Sequence, residues 1–146
     1  MAKLIGTEIS EDRLADLDKT TIRRMVMAGA EACVEVTKRE IDTYHHVSTG
    51  SMRENVRPNE YREDIGGGKI DVYPQDEDGR GVRNAMKAFI IDRGLGMRPN
   101  TKRSRGRVGN KTGDNFLTKK TRQEAEQAIN DAMEAEFDRI IAAANK

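Results

Sequence analysis

Apolar residues recur every three or four positions along two stretches of this chain, and those stretches predict its two principal helices. From about Thr20 to Tyr44 the series Ile22, Met25/Val26, Gly29, Cys33, Val36, Ile41 and Tyr44 forms one stripe, with Arg23, Arg24, Glu31, Lys38 and Arg39 largely off it. Gly29 and the alanines beside it thin that stripe at its middle, where another backbone can approach closely. The second stretch opens on Thr121-Arg122-Gln123-Glu124, a capping-box pattern, and continues through Ala125, Ala128/Ile129, Ala132/Met133, Phe137, Ile140/Ile141 and Ala144. Glu134, Glu136 and Asp138 fall late in it, where the helix dipole slightly disfavours them, so packing must hold that end.

Shorter elements lie before and between these helices. Ile9 to Asp18, with Ser10 as N-cap and Leu14 and Leu17 three residues apart, reads as a short helix laid on something larger. Periodicity stops after His45-His46, and Ser48-Thr49-Gly50-Ser51 reads as a turn or loop. Asn59 to Tyr73 alternates loosely around Gly66-Gly67-Gly68, which predicts a hairpin closed by Pro74 and the run Asp76-Glu77-Asp78-Gly79. Val82, Ala85, Met86, Phe89 and Ile90 then keep helical spacing, a short amphipathic helix over Val82 to Arg93 stopped by Gly94 and Gly96. The expected architecture is α+β: two long amphipathic helices plus short helices packed on a small antiparallel sheet, in one domain over 1–146.

Composition narrows this picture. Charged residues make up 35% of the 146 and apolar ones 36%, with no Trp, so the core must come mainly from Ala, Ile, Val, Leu and Met. Such a thin core offsets little conformational entropy, which favours an obligate assembly or a fold with mobile parts. The net charge of +1 provides no global field toward nucleic acid or an anionic membrane. The single cysteine, Cys33, has no internal disulfide partner, and neither a signal peptide nor an apolar run near membrane-spanning length is visible. These features place the protein in a reducing cytoplasm, or in a particle assembled there.

One local charge signal stands out. Residues 97–116 form a mobile basic loop in which Arg98, Lys102, Arg103, Arg105, Arg107 and Lys111 precede the first acid, Asp114. Three readings of it stay open. The cations Lys102, Arg103, Arg105, Arg107 and Lys111 could neutralise phosphates, although no aromatic residue in the run offers base stacking. They could stay solvated or face a partner. They could also meet the acidic stretch of a neighbouring copy, where Glu60, Glu63, Asp64, Asp71, Asp76, Glu77 and Asp78 outnumber Arg57, Arg62 and Lys69.

Other chemistry is weakly indicated. His45 and His46 point different ways in any regular backbone and make a poor metal pair. Gly66-Gly67-Gly68-Lys69 lacks the Ser or Thr and the helix that a phosphate loop requires, and reads as a glycine-rich turn. Cys33 lies on the apolar stripe of a helix and reads as a core thiol. No carboxylate pair stands out for acid/base work, so no catalytic residue, cofactor or metal is expected.

A long first helix is followed by Thr49-Gly50-Ser51-Met52-Arg53-Glu54-Asn55-Val56, then Ala88-Phe89-Ile90-Ile91-Asp92-Arg93-Gly94, then Phe116-Leu117 before the last helix. That order of features resembles a known family, the neck or tail-completion proteins of long-tailed double-stranded DNA phages, head–tail joining proteins of the lambdoid gene-10-product type. The resemblance covers roughly Val26 to Ile141 and rests on three short motifs. Thr49-Gly50-Ser51-Met52-Arg53-Glu54-Asn55-Val56 resembles the junction after the family's first long helix. Ala88-Phe89-Ile90-Ile91-Asp92-Arg93-Gly94 resembles its aromatic segment ending in Gly, and Phe116-Leu117 its introduction to the last helix. Two features depart from the family: Tyr44-His45-His46-Val47-Ser48 stands where a Pro-Val-Asp is usual, and the loop before Phe116 is longer and more basic.

The resemblance implies a virion component without an enzymatic reaction. It would form a homo-oligomeric ring between the portal-side connector and the tail terminator or tail tube, assembled in the host bacterial cytoplasm and binding no membrane. In that setting Lys102, Arg103, Arg105, Arg107 and Lys111 would bridge to an adjacent subunit or line the channel where DNA passes. The competing expectation is a small nucleic-acid-binding module using the basic loop 98–111.

Overall fold

A computed structural model describes residues 18–43, 50–64, 67–95, 111–112 and 116–145. The fold is α+β, as the sequence pattern predicts. Helix α1 (Lys19–Thr43) is followed by a single helical turn α2 (Ser51–Glu54) and strands β1 (Val56–Pro58), β2 (Arg62–Asp64), β3 (Gly67–Lys69) and β4 (Val72–Pro74). Helix α3 (Asn84–Arg93), strands β5 (Gly94–Leu95) and β6 (Lys111–Thr112), a π-helical segment (Phe116–Thr121) and helix α4 (Arg122–Ala144) complete it. The short helix expected at Ile9 to Asp18 lies outside the described residues except for its last member. Asp18 caps α1: its carboxylate accepts from the Thr20 N–H at 3.3 Å, at the end where the helix dipole favours an anion.

Helices α1 and α4 pack antiparallel. Arg24 near the start of α1 pairs with Glu136 late in α4 at 2.7 Å, and Arg39 near the end of α1 pairs with Glu124 early in α4 at 2.9 Å. Between these pairs Gly29 admits the partner helix, because a Cβ there would lie 3.1 Å from Ile129 Cγ2 and from Met133 Cγ. Side chains of α4, rather than its backbone, occupy the space that Gly29 leaves.

The hairpin is longer than its sequence pattern implied and carries a break. β1 and β4 pair as Val56↔Pro74, Arg57↔Tyr73 and Pro58↔Val72, while β2 and β3 pair as Arg62↔Lys69 and Asp64↔Gly67. Glu60 and Tyr61 therefore face Ile70 alone, a bulge of one extra residue in the first arm. Gly67 and Gly68 belong to β3, so these two glycines of the run lie in strand and not in the turn. A Cβ at Gly68 would collide with the end of the Tyr61 ring that covers it, so any larger residue there must displace that ring. Arg23 of α1 lies over the same ring, 5.6 Å from its centroid, and ties the hairpin to the helix.

The core forms where the hairpin, α3 and the π-helical segment close over the C-terminal half of α1. Val34, Ile41, Met52, Val56 and Ala88 are its buried members, with Val72, Ile91 and Leu117 packed against them. This is why α1 buries Ala30, Val34, Thr37 and Glu40 beside its predicted stripe: α4 covers one side of it and the hairpin another.

The capping box at Thr121 does not form. Thr121 has helical dihedrals (φ −59°, ψ −40°) and makes no side-chain cap, and Glu124 pairs with Arg39 instead. Helical backbone starts earlier, at Phe116, because the Asp92 carboxylate accepts the Leu117 N–H at 2.9 Å and caps that end from another element.

Candidate functional site

Helix α3 is rotated away from the expectation for an amphipathic helix. Its buried row is Asn84, Ala88 and Asp92, spaced four apart, with Ile91 packed against the core. Of the expected stripe Met86 and Phe89 face outward, 59% and 56% exposed, Ile90 is half-buried, and Val82, which lies before the helix, is 40% exposed. Hydrogen bonds at both ends set the rotation. Asn84 is fully buried; its amide donates to Ser51 Oγ at 3.1 Å and to the Gln75 carbonyl at 2.9 Å, and its backbone N–H to the Asp76 carbonyl at 2.9 Å. Asp92, 3% exposed, holds the Leu117 N–H as described. A polar group buried at either end loses its bonds if the helix turns, which outweighs the gain from covering Phe89.

The turn before α3 is organised by Asp78. Its Oδ1 accepts the Arg80 and Val82 N–H groups, both at 2.9 Å, and its Oδ2 receives Lys87 Nζ. The lysine bond and these backbone donors hold the carboxyl well below the usual aspartate range, down to about 2. The acidic stretch expected to face a neighbouring copy is largely engaged within the chain. Glu63 pairs with Lys19, Asp71 with Lys69, Asp76 with Arg57, Glu77 with Arg83, and Asp78 with Lys87. A neighbour's basic loop would have to compete with these bonds.

Beside the outward stripe runs a shallow groove of about 260 Å³, lined by Tyr73, Pro74, Ala85, Phe89, Arg93 and Leu117. Arg93 lies over the Phe89 ring, 5.2 Å from its centroid. The exposed charges along α3 are cationic, since its one carboxylate, Asp92, is buried.

Of the residues singled out in the sequence, Lys102, Arg103, Arg105 and Arg107 lie outside the described residues, as do His45 and His46. Lys111 opens β6, which pairs antiparallel with β5 as Gly94↔Thr112 and Leu95↔Lys111. Part of the span expected as loop is therefore strand, and the two ends of the basic segment are clamped together at the end of α3. Cys33 is half-buried on α1; burial pushes its thiol up, and a contact with the Thr37 hydroxyl opposes that only in part. Sequence reasoning missed Asn84 and Asp92. The available signal was that a polar residue stands at each end of a four-residue spacing through Ala88.

The far end of the molecule has a different surface. Along the outside of α4, Asp131, Glu134, Asp138 and Ile141 share one exposed face at three-and-four spacing, and Ile141 is 45% exposed. Among the described residues no group of His, Cys, Asp and Glu is placed to hold a metal, and no helix is long and apolar enough to cross a membrane. The chain is an α+β protein for which no family model, no curated protein and no solved structure gives a match.

Proposed function

We propose that this chain is a non-catalytic structural subunit of the neck of a long-tailed phage, forming a ring that connects the head, through its portal-side connector, to the tail tube. One observation carries the reading. The three motifs on which the family resemblance rests are far apart in sequence, yet they meet in the core: Met52 and Val56 from the junction, Ala88 and Ile91 from the aromatic segment, and Leu117 from the last-helix introduction. The bond from Leu117 N–H to Asp92 joins two of them directly. Residues that resemble a family and also build one shared core support a common fold, and function is then carried over by analogy. The thin core and the outward apolar stripe agree with a subunit whose surface is completed by neighbours.

The decisive experiment is immunogold labelling of phage particles from cells carrying this gene. Label at the head–tail joint is expected; label absent from particles, or turnover of a metabolite by the purified protein, overturns the reading. Within it the basic segment bridges subunits or lines the DNA channel. Reversing Lys102, Arg103, Arg105, Arg107 and Lys111 to Glu together should cut the yield of joined, infectious particles by about tenfold or more, since each cation removed loses a phosphate or carboxylate contact. Unchanged assembly and DNA delivery would remove that role. A second reading is a small nucleic-acid-binding module using the basic segment 98–111, since the pairing of β5 with β6 brings Leu95 and Lys111, at the two ends of that segment, together. That module would bind DNA as a free monomer with a steep salt dependence.

A further inference from the structure

We infer that the outward face of α3 is a docking surface for a second copy of this chain, and that the occupant is the acidic, Ile141-bearing end of that copy's α4. The inference rests on the ring reading and specifies its subunit contact.

Three observations select this occupant. First, buried bonds at Asn84 and Asp92 hold Met86 and Phe89 of α3 outward beside the groove at Tyr73 and Leu117, and Val82, in the turn before the helix, is exposed near its start. A stripe so fixed cannot turn inward to cover itself, and a contiguous exposed apolar patch marks a contact site.

Second, the two exposed apolar sites carry unlike charges. The cations of α3 and its cap are Arg83 and Arg93, both exposed, and the half-buried Lys87, and Arg93 lies over the Phe89 ring. Lys87 is engaged by Asp78 and Arg83 lies 3.8 Å from Glu77, which leaves Arg93 as the cation most available to a neighbour. Around Ile141 the exposed face carries Asp131, Glu134 and Asp138. Glu136, on the next face, is already engaged by Arg24 and Arg139, and Asp131 accepts from Gln127.

Third, the sites lie at opposite ends of one rod. Continuous helix runs from Leu117 in the groove to Ile141, roughly 35 Å at the rise of an α-helix, so one copy cannot bring its own two sites together. Self-pairing sets like charges face to face, Arg93 against Arg93 or Asp138 against Asp138. Contact of one copy's α3 face with another copy's α4 end joins the cation to the carboxylates, and where that contact repeats head to tail it generates a ring when its rotation closes.

The test uses sedimentation velocity of the full-length chain over a concentration series, with circular dichroism confirming that each variant is folded. Wild type is expected to associate. Phe89→Asp and Ile141→Arg are each expected to be monomeric, because each loses one half of every contact. Mixed in equal amounts they should form a heterodimer, since one retains its α4 end and the other its α3 face. A second set examines charge: Arg93→Glu and Asp138→Arg should each weaken association by about tenfold, and the double variant should recover it.

Three results overturn the proposal. They are a folded mixture that stays monomeric, an Ile141→Arg variant that still associates while Phe89→Asp does not, and a wild type monomeric at every concentration. The second result means that α3 pairs with itself. The third leaves the groove to residues 1–17 or to an unrelated protein. None of the three alters where antibody labels the particle, so the neck reading stands or falls separately.

Discussion

Asp78 uses both carboxylate oxygens to build the turn that launches α3, and its acidity records that work. With the group held at about 2, below the ordinary aspartate value, the unfolded chain takes up the proton first as pH falls. The stabilisation is therefore complete above the ordinary aspartate value and is lost as pH drops toward 2. Asp78→Asn should melt below wild type at neutral pH, and the gap should close over that acid window when thermal melts are followed by circular dichroism. A gap that does not change with pH would show that geometry, rather than charge, is what Asp78 contributes. Asn84 works differently, as a neutral hub whose amide joins Ser51 to the end of β4 in a place that water does not reach.

Among the elements, the α1–α4 pair depends on one small residue. Gly29 costs helix propensity, and in exchange Ile129 and Met133 seat directly against the α1 backbone. Gly29→Leu would force side chains into space already filled from 3.1 Å outward, so a loss of about 1–3 kcal/mol is expected, read as a lower urea midpoint with unchanged slope. A slope that falls as well would mean that α4 detaches from α1. Of the acids late in α4, Glu136 is held by Arg24 across the pair and by Arg139 along its own helix, while Glu134 and Asp138 lie on the exposed face. The exposed ion pairs among these contribute little each, and the apolar seam does most of the holding.

For the whole molecule, the main buried cluster lies toward one end, with Met25 and Ala30 buried apart from it along α1. The cluster's members are gathered around the C-terminal half of α1, while Met27 near the other end is 45% exposed and Ile141 likewise 45%. A chain so built gains stability from any neighbour that covers it, by mass action. The melting temperature of wild type should therefore rise with protein concentration, whereas that of Phe89→Asp should not. Differential scanning calorimetry at several concentrations checks this, and a wild-type value independent of concentration would mean that the folded monomer is self-sufficient.

Local pattern determined that two long helices form and roughly which residues they span. The stripe from Ile22 to Ile41 and the series from Ala125 to Ala144 appear as α1 and α4, because a three-and-four repeat over that length has few other ways to bury its apolar side. The hairpin was legible from its glycines and alternation, but its bulge was not, since one extra residue changes no local propensity. The rotation of α3 and the start of the last helix belonged to tertiary structure alone. Both depend on hydrogen bonds between groups 33 and 25 residues apart, Asn84 to Ser51 and Asp92 to Leu117. Periodicity reports where a helix carries apolar residues; which of them are buried is decided by the partners that satisfy its polar groups, and in α3 these bury Ala88 and leave Met86 and Phe89 outside.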